Sequence, residues 1–444
     1  MKTRLIQSTA AALALLATVA TTARTQAQSI VGHLPSMESP HEGTWLQWPH
    51  HYTYGTAYRN RLDATWVEMT RALVVGERVH IIAYNATEQT RITGLLTTAS
   101  VPLGKVDFLL RQTDDTWVRD NGPIFVFDNS TELKITDWGF DGWGDDTAFA
   151  KDDTVPAGVA AALGMPCVDV GATVLEGGAI EVDGQGVLMA TRSSILETAR
   201  NPGLTQAQLE NTLRAQFGVT KFIWLTGAPG GTEDITDMHI DGFAEFAPIR
   251  TIVTMSNADL SYWGLSAADI ATLNAATDID GVPYSFVRLP LTANNVVTTY
   301  GTNLGYKGSY VNFYVGNTVV LVPTYNDPND ATALSIVQTL YPGRTAVGID
   351  VRNLYANGGM VHCVTQQQPE KYTAPRMSIA ARSGAKVELT FTGKIGAVSR
   401  LQAATDLAAG NWTDMANFTP TQPTNWVSFS TTGFNRRFFR VVTP

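Results

Sequence analysis

Along residues 58–351 the apolar positions switch repeatedly between a helical spacing and a strand-like one, and the pair is met five times. From Tyr58 to Val75, Leu62, Trp66, Met69 and Leu73 fall on one helical face; Gly76 stops the pattern, and Val79-His80-Ile81-Ile82-Ala83 reads as a strand. Ala157–Leu163, closed by Gly164, precedes a strand around Cys167 in Met165-Pro166-Cys167-Val168-Asp169-Val170. In the third unit Thr205 and Gln208 carry a capping-box signature, and Leu209, Leu213 and Phe217 repeat every fourth residue. Gly218 ends that helix before the strand Lys221–Leu225. Ser266–Ala276 pairs with Tyr284–Leu289, and Asp330–Leu340 with Thr345–Val351 across a Pro342-Gly343 break. Sequence identity between the units is negligible, so the repeat is one of pattern. An ordinary α/β fold alternates in the same way. A closed ring is favoured because Asp120, Glu176, His239 and Cys363 each follow the strand of a different unit. Strand ends pointing at one axis would gather them.

From about Ser378 the helical spacing disappears. Val387–Phe391, Arg400–Ala403, Asn425–Phe429 and Arg437–Val441 alternate as short strands between Gly, Asn and Pro turns. An all-β module of roughly 65 residues is expected there, a sandwich in form. It holds no cysteine or histidine, so attachment or binding is expected of it.

The other end has a different character. Lys2 and Arg4 precede an apolar run from Ala10 to Ala20, and Thr25-Gln26-Ala27 fits a small-x-Ala cleavage site, so residues 1–27 read as a secretory signal peptide. The run is too short to span a membrane. The expected protein is exported, whether to the periplasm, the medium or the cell surface. The full chain of 444 residues has 31 basic and 40 acidic residues, a formal net charge of −9. Residues 1–27 hold Lys2, Arg4 and Arg24 and no acid, so cleavage takes the charge to −12. That balance disfavours nucleic acid and anionic membrane and draws small cations. Of the two cysteines, Cys167 reads as a small core hydrophobe on a buried strand, which leaves Cys363 unpaired.

Cys363 stands behind Gly358-Gly359 in a polar setting that includes Thr365 and three glutamines, and a thiolate there is a candidate nucleophile. The competing reading is a buried structural thiol. In Asp237-Met238-His239-Ile240-Asp241, alternation along an extended segment would place Asp237, His239 and Asp241 on one side. One histidine with two aspartates is a poor zinc set, so acid–base work is the better use of His239. Asp120 follows Arg119, its salt-bridge partner if the turn is only a surface turn. Glu176 precedes Gly177-Gly178, where glycine lets backbone come close. Trp117 is a core residue or a pocket wall. Together, a thiol, an imidazole and several carboxylates suit a flat cation with an electrophilic carbon, and guanidinium has that shape.

The segments Glu42–His50, Trp117–Pro123, Trp138-Gly139-Phe140, Leu175-Glu176-Gly177-Gly178, Arg200-Asn201-Pro202, Asp237–Asp241 and His362–Pro369 resemble, in order, the agmatine deiminase and Porphyromonas-type peptidylarginine deiminase family. That resemblance to the guanidine-modifying (pentein) superfamily implies an α/β fold, a five-bladed pseudo-symmetric propeller over residues 30–376, followed by the small β-sandwich over 378–444. It implies hydrolysis of agmatine to N-carbamoylputrescine and ammonia, a step of polyamine metabolism, with an exported peptidylarginine deiminase that converts arginine in peptides to citrulline as the alternative. By the resemblance Cys363 is the nucleophile, His239 the acid–base and Glu176 its support. Asp120 and Asp241 bind the guanidinium, and Trp117 and Gly358 stand at the substrate. No metal or organic cofactor is implied. Expected partners are the small cation or peptidyl-arginine, a cell surface or polysaccharide for the C-terminal module, and a second copy in a homodimer. Amidino transfer and a decayed surface-binding protein are the remaining readings. Two places depart from the family's usual form. Met238 stands where agmatine deiminases usually have Gly, and the segment after Trp143-Gly144 is shorter and more acidic, with Asp145 and Asp146.

Overall fold

The computed structural model describes residues 32–128, 131–228, 234–371, 377–382, 386–392, 398–405, 411–418, 424–430 and 437–442. The expected signal peptide lies outside them. Five sheets make up the body. The first joins β1 (His41–Gln47), β2 (Arg78–Ala83) and β3 (Val106–Leu110); the next are β4 (Ile124–Phe127), β5 (Leu133–Gly139), β6 (Cys167–Val174), and β7 (Ile180–Val182), β8 (Val187–Thr191), β9 (Lys221–Leu225). Then come β10 (Ala244–Ala247), β11 (Thr251–Met255), β12 (Ser285–Leu289), and β13 (Tyr314–Val315), β14 (Val319–Thr324), β15 (Thr345–Asp350). Within each of the last four, the first pair runs antiparallel and the second parallel. The parallel pair needs a crossover, which the helices of the sequence pattern provide. The first sheet gains its antiparallel member from the far end of the body: β16 (Gln366–Pro369) pairs with β1.

Local chemistry sets these helices. His51–Leu73 buries Leu62, Trp66, Met69 and Leu73 completely, the face that the spacing predicts, and it begins earlier than Tyr58 across a kink at Gly55. Gln206–Phe217 starts at Thr205 in a capping box closed by Gln208 and stops at Gly218, whose left-handed φ of 70° a side chain would strain. Ala267–Asn274 is capped by the Ser266 side chain.

Cys167 is a correction. It is exposed, because β6 is the outer strand of its sheet and pairs only with β5, so it is not the core residue that the apolar run suggests. The C-terminal residues form two antiparallel three-stranded sheets. One joins β17 (Met377–Arg382), β18 (Lys386–Thr392) and β21 (Thr424–Ser430); the other joins β19 (Ser399–Ala404), β20 (Thr413–Phe418) and β22 (Phe438–Val442). β17 and β20 escape the sequence reading because their small and polar residues carry little apolar alternation.

Candidate active site

The connection that leaves the last strand of each sheet for the first strand of the next brings one part of the site. Trp117 and Asp120 lie between β3 and β4, Glu176 between β6 and β7, and His239 and Asp241 between β9 and β10. Asn312 lies between β12 and β13, and Cys363 between β15 and β16. Asn312 is a residue that the sequence reading missed. Its one signal is a polar amide inside the apolar run Tyr310–Tyr314, where burial demands a partner.

Gly178 marks the centre. A Cβ on it would lie 2.7 Å from His239 Nδ1, 2.8 Å from Asp120 Oδ1 and 3.0 Å from Asp241 Oδ2. Three polar groups therefore converge on a space that only glycine leaves open. Each is held from behind. His239 Nε2 faces Glu176 Oε2 at 3.2 Å. Asp120 accepts from the Gly178 N–H and from Trp143 Nε1, both at 3.2 Å. Asp241 Oδ2 accepts from His362 Nδ1 at 2.8 Å. The Cys363 thiol faces the same Asp241 oxygen at 3.8 Å, and Asn312 Nδ2 donates to the sulfur at 3.4 Å and to the Asp241 carbonyl at 3.1 Å. Sulfur and imidazole thus border one small space. Beside it Gly359 lies against the Trp117 ring, 2.1 Å from where its Cβ would stand; Gly358 has φ 96° with open space around it, so it serves the backbone turn.

Two sequence readings change here. Asp237–Asp241 is not an extended alternating segment: Asp237 and Met238 have φ 53° and 68°, and Ile240–Gly242 is a 3-10 turn. Asp237 consequently turns to Arg200, at 2.5 Å, and leaves His239 and Asp241 to the centre. Arg119 does not serve Asp120. Its Nε donates to the His362 carbonyl at 3.3 Å and its Nη2 to Gln367 Oε1 at 2.8 Å.

The electrostatics favour a bound cation. Burial works against a charged His239, but Asp120, Glu176 and Asp241 outweigh it and raise the imidazole to about 9. Burial, with Asp241 and Glu176 nearby, pushes Asp120 up to about 7 despite the pull of His239. Burial would also raise Asp241, yet the His362 hydrogen bond, with His239 and Arg119, keeps it below the ordinary carboxylate range. His362 stays neutral, held down to about 4 by burial and Arg119. Burial, Asp241 and Asp120 push the Cys363 thiol well above its usual value.

Met238 shows which of two costs wins. Its left-handed backbone costs roughly 1–2 kcal/mol in a non-glycine residue, but its side chain is buried and packs on Gly264, with the sulfur 3.9 Å from that residue's Cβ position. Losing a buried methionine costs about 2–5 kcal/mol. Met238→Gly is therefore expected to lower the thermal midpoint, although it relieves the backbone. A higher midpoint in that variant would show that strain dominates.

The family model described as Porphyromonas-type peptidyl-arginine deiminase matches residues 33–369. The agmatine deiminase of Pseudomonas aeruginosa is 30% identical over 366 residues, covering 77% of this chain and 96% of its own. A solved agmatine deiminase of Enterococcus faecalis is 26% identical with a TM-score of 0.67, over 77% of this chain and 97% of that one. A solved Porphyromonas gingivalis protein, provisionally described as an arginine deiminase, is 33% identical with a TM-score of 0.67, over 77% of this chain and 99% of its own. With that much of the body matched in sequence and in mixed α/β fold, the chain belongs to the agmatine deiminase and Porphyromonas-type peptidyl-arginine deiminase family of the pentein superfamily.

Proposed function

We propose that this chain is an exported deiminase that hydrolyses agmatine to N-carbamoylputrescine and ammonia through a covalent adduct on Cys363. The observation that carries the reading is the convergence of His239, Asp120 and Asp241 on the Cβ position of Gly178, with the thiol on Asp241. A guanidinium lying over the bare backbone of Gly178 would pair with both carboxylates and turn its carbon to the sulfur. Its charge also offsets the carboxylates that hold the thiol protonated, so binding favours the thiolate.

The steps then balance. Cys363 loses its proton to solvent as substrate binds, and the thiolate forms a C–S bond at the guanidinium carbon. His239, charged at neutral pH, protonates one nitrogen; the C–N bond breaks and ammonia leaves. The remaining alkylthiouronium is attacked by water as His239 takes back a proton. The C–S bond breaks, the ureido product departs, and the hydroxyl proton returns to sulfur. Asp120 and Asp241 hold the positive charge throughout from fixed positions, which is where electrostatic stabilisation acts best.

We read the five sheets as the blades of a propeller over residues 30–376. The recurring strand order, the pairing of β16 with β1, and the contacts of β4 with β16 and of β7 with β10 support this. The two C-terminal sheets are read as a β-sandwich module that attaches the enzyme to a cell surface or polysaccharide. Export rests on Lys2, Arg4, the Ala10–Ala20 run and Thr25-Gln26-Ala27. Export and the family model, described as Porphyromonas-type peptidyl-arginine deiminase, also favour a second reading, action on arginine in peptides.

Ureido formation measured side by side on agmatine and on a peptide ending in arginine tests the choice. Agmatine is expected to give the higher kcat/KM. A higher value on the peptide would replace the first reading with the second, and no product from either would end both.

A further inference from the structure

Glu176 is claimed from two sides. Its Oε2 lies 3.2 Å from His239 Nε2 and 3.1 Å from Arg200 Nε, which also donates to Oε1 at 2.8 Å. The other nitrogens of Arg200 reach the segment that carries the imidazole. Nη1 donates to Asp237 Oδ2 at 2.5 Å and Nη2 to the Ile235 carbonyl at 3.1 Å. The whole guanidinium is buried, so each bond is made out of water. Asn201, the next residue, fixes the approach to Glu176. Its Nδ2 donates to the carbonyls of Val174 at 2.9 Å and Ile195 at 2.7 Å, and its Oδ1 accepts from the Val174 N–H at 3.0 Å.

The turn before His239 needs such support. Two successive non-glycine residues with left-handed φ persist only where their surroundings over-determine them. Ser193 Oγ donates to the Asp237 carbonyl at 2.6 Å and Thr191 Oγ1 to the Met238 carbonyl at 2.8 Å. Arg200 adds the charged anchor and connects it to Glu176. An arginine suits the place because its planar fork reaches three acceptors in fixed directions, which a lysine ammonium does not.

Resting on the deiminase reading above, we infer that Arg200 is a positioning residue for the reaction: it shares Glu176 with His239 and clamps the Asp237–Met238 turn, so that the imidazole faces the guanidinium space. Its effect is electrostatic as well as geometric. An unshared Glu176 would place its full charge on His239 and hold the imidazole proton more tightly. Transfer of that proton to the departing ammonia would slow. Division of the carboxylate keeps the proton transferable.

Three variants of the full chain test this by ammonia release from agmatine across pH, with thermal midpoints measured alongside. In Arg200→Gln, kcat is expected to fall ~100-fold with KM little changed, as when an interaction made only in the transition state is lost. The limb of kcat/KM set by His239 is expected to move to higher pH. Arg200→Lys keeps the charge and loses the fork, so that limb should stay in place while kcat falls ~10-fold. Asp237→Asn reduces the turn anchor from an ion pair to a hydrogen bond on a neutral amide and should lower kcat without moving the limb. A limb in Arg200→Gln that stays or moves down would overturn the inference, as would wild-type kcat in Arg200→Lys. The Lys and Asn variants carry the test if the Gln variant does not fold, since a purely structural role would lower the midpoint and leave kcat per folded molecule unchanged. Absence of ammonia release by the wild-type chain from any guanidinium substrate would instead sink the deiminase reading itself.

Discussion

Cys363→Ala is expected to cut ammonia release from agmatine by about 10⁴-fold or more, the scale seen when a nucleophile is removed from a site whose groups act as a unit. The reason is chemical. Asp120 and Asp241, proposed to pair with the guanidinium, remain in place, but water would then have to attack a resonance-stabilised cation directly. Substrate binding should survive, because the carboxylates proposed to grip the cation are untouched; an equilibrium measurement with agmatine on this variant should give a Kd within a few-fold of the wild-type KM. Mass spectrometry of quenched wild-type turnover should reveal the thiouronium adduct, and the variant should show none. Ammonia release within tenfold of wild type would remove Cys363 from the mechanism.

The second large effect is expected from a single methyl group. In Gly178→Ala the new Cβ would stand 2.7–3.0 Å from His239, Asp120 and Asp241, closer than carbon sits to such atoms. None of the three can retreat freely, since Glu176, Trp143 and His362 hold them from behind. The backbone of Gly178 is not left-handed, so alanine meets no conformational barrier there and the chain should fold. The methyl therefore displaces either the substrate or the groups around it, and a misplacement near 1 Å costs on the order of 10²-fold. We expect kcat/KM to drop by about 10²–10³-fold, with the thermal midpoint lowered only as far as an overpacking cost of about 1–3 kcal/mol implies. A kcat/KM within threefold would mean that the guanidinium binds elsewhere. Gly177→Ala offers a useful contrast. Its Cβ would meet the Arg119 carbonyl at 2.2 Å, a backbone clash, so that variant should lose stability first.

The sequence made some parts of this architecture legible and hid others. Helix faces such as Leu62-Trp66-Met69-Leu73, the Thr205–Gln208 cap and the Gly218 stop could be placed because each depends on residues within a few positions of one another. The candidate site residues could be singled out because their short motifs keep a fixed order. The shape of the Asp237–Asp241 segment could not, since alternation suggests extension while Arg200, Ser193 and Thr191, distant in the chain, hold it bent. The partners of Arg119 lie 243 and 248 residues away, which no local pattern announces. Cys167 looks apolar in its run, yet only the sheet order shows that its strand is an edge.

By itself, the order of residues determined which chemical groups the chain carries, where its helices start and stop, and which connections hold a thiol, an imidazole and acids. Tertiary structure alone decided that these groups meet around one missing side chain, which of them share a proton, and how far each is pushed from its ordinary titration. The division follows from range. Capping and periodicity act over one turn of chain, whereas burial and the fields of neighbouring charges exist only once distant connections have been brought together.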